Sequence, residues 1–347
     1  MSSSKMQYVR LGNSGLKVSR IILGCMSYGE PKWGGNWVLG EEEASKHIGA
    51  AYAAGINTFD TADGYSNGVS EEILGRAIKK HNLPRDAIVV MTKLFMPVSK
   101  NAEETMFPHL VPDPDAVGYV NQHGLSRKHI FDGVRNSLRR LGLDYIDVLQ
   151  CHRFDPNTPI EETMQALHDV VKAGYVRYIG MSSCYAWQFH VMQNYAITHN
   201  LTPFISMQNH YSLLYREEER EMMPTLKHFG VGSIPWSPLA RGALTRPLTQ
   251  QTTRAETDVM SANYYTQSPA GEAIVNRVEE IAKKRGVSMA QISVAWILAQ
   301  DAVSAPIVGS TSLTNLADIV GAINVKLTEE EIKYLAEPYQ PLPVLGH

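Results

Sequence analysis

Hydrophobic and polar positions follow two rhythms along this chain. Short apolar runs rich in β-branched residues recur at Val18 to Gly24, Asn57 to Asp60, Ile88 to Lys93, Ile146 to Gln150, Val176 to Ser182, Ile205 to Asn209, Val231 to Trp236 and Ser304 to Gly309. Between them lie helix-length segments, among them Glu41 to Gly55, Ser70 to His81, Arg127 to Gly142, Pro159 to Gly174, Arg216 to Gly230 and Leu313 to Ala322. Gly55, Gly142, Gly174 and Gly230 each close a periodic stretch just before the next run, as a left-handed helix terminus before a short loop requires. Buried strands alternating with helices predict a parallel sheet. Eight such units without a linker rich in Ser, Pro or Gly predict one α/β domain over residues 1–347, a (β/α)8 TIM barrel with long loops at its C-terminal face. A doubly wound open sheet is the rival, but the phosphate-binding GxGxxG after its first strand is missing.

Three segments interrupt the repeat. Residues 97–126 carry four prolines, residues 246–269 follow the seventh run, and the tail from Glu337 is too rich in proline for a helix. Both loops would leave C-terminal strand ends and hang over the mouth where such barrels place their sites.

Composition narrows the class. The 347 residues are 44% hydrophobic and 19% charged, which excludes disorder as the main state. Lys+Arg 32 against Asp+Glu 35 gives a net charge of -3 with no long basic run, so nucleic acid is not an expected partner. The three cysteines, Cys25, Cys151 and Cys184, are too far apart for a metal-binding CxxC and odd in number, which suits a reducing compartment. Without an apolar leader or an 18-residue apolar run, a cytosolic protein that binds no membrane is expected. The run Glu217 to Glu221 reads as a solvated helix face with local ion pairs rather than a metal site, and Cys151 as a small buried hydrophobe.

Candidate chemistry sits at the strand ends. Asp60 closes the second run, Tyr65 follows it in D-T-A-D-G-Y, Lys93 ends the third, and His152 follows the fourth. Each alone has an ordinary structural reading, as a cap, a core ring or a satisfied imidazole. Together, at the ends of consecutive strands of a fold with one reactive face, they suit proton transfer to a carbonyl oxygen. A phenol titrates near pH 10 and needs its phenolate stabilised; an adjacent ammonium would lower that value, and a carboxylate would hold the ammonium. This assigns Tyr65, Lys93 and Asp60, with His152 orienting the carbonyl.

The chain resembles the aldo-keto reductase superfamily over essentially its whole length. The resemblance rests on L-G-x-S-G-L-x-V-S, G-I-N-T-F-D-T-A-D-x-Y, the strand-end T-K, L-x-x-L-G-L-D-Y-I-D, A-G-Y-V-R-Y-I-G-M-S-S, I-P-W-S-P-L-A-R-G and P-I-V-G-S-T. It is nearest in style to the fungal aryl-alcohol dehydrogenase-like and versiconal hemiacetal acetate reductase-like branch, and more distantly to potassium-channel β subunits. The resemblance implies an NADP(H)-dependent carbonyl reductase acting on a small-molecule aldehyde or ketone, with Asp60, Tyr65, Lys93 and His152 as its tetrad. It also implies a cofactor site from Gly24, Cys25 and Met26, with Asp60, Ser182, Ser183 and Gln208 near the nicotinamide and Trp236 stacked on its ring. Ser237, Pro238, Leu239 and Ala240 would continue that site, and Gly309, Ser310, Thr311, Asn315 and Asp318 would hold phosphate. Ser183 replaces the usual asparagine. The segment after Gly309 lacks the cation that many relatives present to a 2′-phosphate, so Arg241, Arg246 or Arg254 would supply that charge, and NAD is the alternative cofactor. Tyr28, Trp33, Trp37, Phe95 and Tyr211 are candidate pocket residues and suggest an apolar or aromatic substrate. A redox-sensing accessory subunit with slow turnover is the competing function, against which the retained His152 argues. A single biosynthetic step on an aldehyde or lactol is a third.

Overall fold

The computed structural model describes residues 6–34, 37–107, 110–250 and 268–346. A short antiparallel hairpin, β1 (Tyr8–Arg10) and β2 (Lys17–Ser19), precedes the sheet. Then come β3 (Ile22–Gly24), β4 (Thr58–Asp60), β5 (Val89–Leu94), β6 (Ile146–Cys151), β7 (Val176–Ser182), β8 (Phe204–Gln208), β9 (Gly232–Ser233) and β10 (Ile307–Val308). These eight form one parallel sheet in the order β10, β3, β4, β5, β6, β7, β8, β9. The ends meet through a parallel bridge between Ser233 and Val303 and an Ile307 amide bond to the Pro235 carbonyl at 2.8 Å, giving the expected (β/α)8 barrel.

The helices are α1 (Glu41–Ala53), α2 (Val69–Lys80), α3 (Arg127–Leu141), α4 (Ile160–Lys172), α5 (Ala186–Thr198), α6 (Met222–Phe229), α7 (Pro269–Arg285), α8 (Met289–Leu298), α9 (Leu313–Val320) and α10 (Glu329–Ala336). The four glycine stops all adopt positive φ: Gly55 +91°, Gly142 +63°, Gly174 +81° and Gly230 +67°.

Three expected boundaries change, each for a local reason. The run Val18 to Gly24 splits between hairpin and barrel, because the Ser19 amide donates to the Asn57 side chain at 2.8 Å instead of continuing a ladder. The seventh and eighth runs shrink to two-residue ladders, since Pro235 and Pro306 carry no amide donor. The segment Arg216 to Gly230 is a 3-10 turn at Glu217–Glu219 followed by α6, not one helix.

Two apolar layers set the site's position. Leu11, Val18, Ile22, Val89, Met91, Val148, Ile234, Ala305 and Ile307 fill the N-terminal end of the barrel, with the hairpin as plug. A larger cluster joins the outer faces of the strands to the helices. The C-terminal strand ends are left to polar residues.

Candidate active site

Asp60 and Gln208 end β4 and β8, Lys93 and Gln150 stand one residue before the ends of β5 and β6, and their side chains converge. The Lys93 ammonium is fully buried and donates to Asp60 Oδ2 at 2.6 Å, to the Thr61 carbonyl at 2.8 Å and to the Tyr65 hydroxyl oxygen at 3.1 Å. All three of its N–H donors are used. Asp60 Oδ1 accepts from Gln150 Nε2 and Gln208 Nε2, both at 2.9 Å, and Gln208 also donates to Gln150 Oε1 at 2.9 Å. This buried ion pair is therefore hydrogen-bonded on every side, the condition for tolerating charge away from water. Burial disfavours the Lys93 ammonium, but Asp60 and Tyr65 outweigh it and hold its pKa above the usual lysine value.

The Tyr65 pKa departs from the sequence expectation. Burial raises it above that of an ordinary phenol, and the nearby Lys93 offsets this only in part. The phenol is thus protonated at neutral pH. Its oxygen accepts from Lys93, which leaves the O–H free to donate outward. The His152 ring stands edge-on to Tyr65 with centroids 5.7 Å apart. Burial, then Lys93 and Arg153, push His152 well below the usual histidine range, so its imidazole is neutral. Its Nδ1 is buried with no partner among the described residues.

A strained turn presents Tyr65. Ser66 and Asn67 have φ of 46° and 51°, and Gly68 follows at +94°. Asn67 fastens the turn to the long loop, donating to the carbonyls of Asn101 at 3.0 Å and Glu104 at 2.7 Å and accepting from the Ser99 amide at 2.9 Å.

The expected cofactor residues form two groups. Ser182 Oγ and the Ser183 amide both donate to the Gln208 carbonyl, at 2.8 and 3.2 Å, and the Trp236 indole donates to Ser183 Oγ at 3.0 Å. Trp236 is half-buried, with one ring face stacked on His210 at 4.1 Å. Ser237, Ala240 and Arg241 take positive φ of 55°, 46° and 55°, so S-P-L-A-R-G curls tightly after the seventh strand. The buried Cys25 amide donates to the Asp60 carbonyl at 2.8 Å. Gly309, Ser310 and Thr311 lead into α9, whose cap Ser312 accepts from the Asn315 amide at 3.4 Å. Asp318 instead fastens α9 to α8 by accepting from Ser288 and from Gln291 at 2.9 Å. Arg246 is tied to its own loop, donating to Gly242 O at 2.6 Å and Gln250 O at 3.2 Å. Arg254 lies outside the described residues.

The aromatic candidates separate. Trp33 and Trp37 cluster with Tyr65, the Trp33 ring 6.4 Å from it. Phe95 is half-buried against the main core. Tyr28 and Tyr211 are buried. Tyr28 packs edge-on against His47 of α1 and reaches the Ser310 carbonyl at 3.3 Å, while Tyr211 donates to Glu219 at 2.6 Å and packs near Trp296 of α8. The acidic run also differs from its solvated reading. Glu218 is buried, and Glu217 accepts from the Tyr339 hydroxyl at 2.7 Å and the Leu342 amide at 2.8 Å, holding the C-terminal tail. The local pairs Arg216–Glu219 and Arg220–Glu217, both 2.8 Å, are present. Cys151 is inert as expected, burial pushing its thiol up to about 12.

Sequence reading missed Gln150 and Arg153. Gln150 was legible as a polar residue in an apolar run, but its role needed the register that sets it beside Lys93. Arg153, next to His152 and outside any strand pattern, gave no signal of its own.

Fold and site together define a barrel oxidoreductase. The family model described as "Aldo/keto reductase family" matches residues 20–340. The chain belongs to the aldo/keto reductase family, enzymes that use NAD(P)H on small-molecule carbonyl compounds. It is 51% identical to a Schizosaccharomyces pombe protein named as an aryl-alcohol dehydrogenase, covering 98% of this chain and 97% of that one. It is 49% identical to the versiconal hemiacetal acetate reductase of Aspergillus parasiticus, covering 97% and 98%, and 46% identical to an aldo-keto reductase of Fusarium vanettenii, covering 100% and 95%. No helix among the described residues is long and apolar enough to cross a membrane.

Proposed function

We propose that this protein reduces an aldehyde or ketone to the alcohol with NADPH, Tyr65 donating the proton. The observation that carries the reading is the Lys93 ammonium, whose bond to the Tyr65 oxygen leaves the phenol's own proton free for a substrate carbonyl. The residues present fit a nicotinamide dinucleotide: Trp236 offers a half-buried ring, Ser182, Ser183 and Gln208 are clustered beside it, and Gly309 to Thr311 lead into a helix N-terminus suited to an anion. When bound, that group supplies the hydride. Tyr65 transfers its proton to the oxygen as negative charge develops there, and Lys93 stabilises the phenolate left behind, with Asp60 holding the ammonium in place. The neutral His152 orients the carbonyl. Arg241, Arg246 or Arg254 would supply the charge that favours a 2′-phosphate.

The test is steady-state NADPH and NADH oxidation with a panel of aromatic and aliphatic aldehydes. Sustained turnover, faster with NADPH, is the expected result. Tight cofactor binding without turnover would replace this reading with that of an accessory subunit.

A further inference from the structure

Arg153 is a cation with no carboxylate partner among the described residues. It follows His152 beyond β6, is half-buried, and donates from Nη1 to the His152 carbonyl at 2.6 Å. Burial lowers its pKa to about 10, which leaves it charged at neutral pH, and the groups whose charge reaches it are Tyr65 and Cys184, neither of them a carboxylate. Lys93, Arg140 and Arg216 are matched by carboxylates, Asp60 at 2.6 Å, Glu71 at 2.5 Å and Glu219 at 2.8 Å, and Arg20 is held by three carbonyls, those of Leu298, Val303 and Ser304, where Arg153 has one. A half-buried guanidinium with donors to spare is costly unless something else completes it.

Its position says what completes it. On one side its charge acts on Tyr65 and His152. On the other it approaches Gly346 of the tail, whose Cβ position would lie 3.3 Å from the Trp236 ring and 3.9 Å from Arg153 Nη2. Arg153 therefore lies within electrostatic reach of Tyr65 and shares the neighbour Gly346 with Trp236, beside the place where the proposed reaction would hold a substrate. Trp33 Nε1, from the cluster around Tyr65, is also buried with no partner among the described residues. Both groups offer N–H donors: among the described residues Trp33 Nε1 has no acceptor, and Arg153 has only the His152 carbonyl.

We infer that Arg153 is a specificity-determining residue that pairs with an anionic oxygen, a carboxylate or phenolate, carried by the carbonyl substrate. This rests on the carbonyl-reductase reading above and narrows its apolar substrate class to acidic aromatic or keto compounds. The guanidinium suits such a group because its planar donors can meet both oxygens at once.

The experiment compares kcat/KM for 4-carboxybenzaldehyde and benzaldehyde in the full-length enzyme, wild type, Arg153→Met and Arg153→Lys. Wild type should prefer the carboxylate by about tenfold or more, Arg153→Met should erase that ratio, and Arg153→Lys should restore part of it. In parallel, wild-type binding of benzoate and benzamide is measured by calorimetry, benzoate being the tighter. No preference in wild type, a ratio that survives Arg153→Met, or an equal loss on both aldehydes with a shifted pH profile would overturn the inference, the last placing Arg153 with Tyr65 instead of the substrate. If no aldehyde turns over, the proposed function fails on its own, and the benzoate and benzamide affinities still decide Arg153. The same wild-type comparisons decide the matter if Arg153→Met does not fold.

Discussion

Gln208 Nε2 lies 2.9 Å from Asp60 Oδ1, so the glutamine expected only to meet a nicotinamide amide also holds the carboxylate that holds Lys93. Gln150 makes the second bond to the same oxygen. Gln150→Leu should leave Asp60 Oδ1 short of a donor and Gln208 short of an acceptor, at about 1–3 kcal/mol of stability. Activity should fall with it. Thermal unfolding and kcat check this, and an unchanged melting temperature with wild-type kcat would show the glutamine layer to be idle. Gly180 belongs to the same layer, because an added Cβ would collide with Ser206 Oγ and lie 3.3 Å from Gln150 Cγ. Gly180→Ala should therefore lower kcat more than its distance from Tyr65 suggests.

Tyr65→Phe deletes the proposed proton donor without touching the residues grouped around Trp236. Reduction should slow by about 10²-fold or more while cofactor dissociation constants stay nearly constant. Near wild-type kcat with the chemical step limiting would refute the assignment. Lys93→Met removes the stronger of the two cations, Lys93 and Arg153, that oppose the upward push of burial on Tyr65, so its pKa should rise further and the alkaline limb of the reduction profile should move to higher pH. It also strands Asp60, and a stability loss of about 3–5 kcal/mol is expected.

The tail offers a pH-dependent test. Burial alone would raise Glu217, but hydrogen bonds from Tyr339, Leu342 and Arg220 hold it below the usual carboxylate range. A lowered folded-state pKa contributes stability above the unfolded value and loses it as pH falls through the folded one. Glu217→Ala should release the tail, cost about 1.5–3 kcal/mol at neutral pH, and raise KM through looser packing by Trp236. That stability difference should shrink in acid. Limited proteolysis near residue 340, unchanged by the substitution, would count against the clasp.

The barrel was legible because each strand is a buried run and most helices before them stop at a glycine. The site was legible where a polar residue ends such a run: Asp60, Lys93 and Gln208 all sit where the pattern puts them. What the pattern could not carry was lateral. The pairing of Lys93 with Gln150 depends on strand register, and the burial of Tyr28 and Tyr211 depends on partners on α1 and α8. Glu217 read as solvated because its partners, Tyr339 and Leu342, are more than 120 residues away along the chain. The net direction of Tyr65's pKa depends on burial, which periodicity does not measure.

Cofactor choice turns on cations. The segment after Gly309 has none, so on the proposed reading a preference for NADP would come from the loop after the seventh strand. Alanine at Arg241, Arg246 or Arg254, whichever meets the 2′-phosphate, should erode that preference by about 1.5–3 kcal/mol and leave NAD affinity nearly unchanged. Arg246→Ala should in addition loosen its loop, since it frees the carbonyls of Gly242 and Gln250. Dissociation constants of both cofactors for wild type and the three variants decide the matter. Equal binding by wild type, or a preference that survives all three changes, would leave the backbone near Ser310 as the phosphate site.

Asp63, two residues before Tyr65, is buried, and its Oδ1 has no partner among the described residues. Burial, reinforced by Glu71, raises its pKa well above the usual range against the pull of Arg140, which favours the neutral acid. An unfolded aspartate loses its proton near pH 3.9, at about the reference value. Above that point the folded chain binds a proton the unfolded chain has released, so the residue's contribution is full in acid and declines as pH rises. Asp63→Asn copies the neutral acid without the titration. Its melting temperature should match wild type near pH 4 and exceed it increasingly toward pH 8. Catalysis should persist, because the contact with Lys93 runs from the backbone amide of residue 63 to the Lys93 carbonyl at 3.1 Å and does not involve the side chain. A variant less stable than wild type by the same margin at every pH would mean that the carboxyl is ionised and paired.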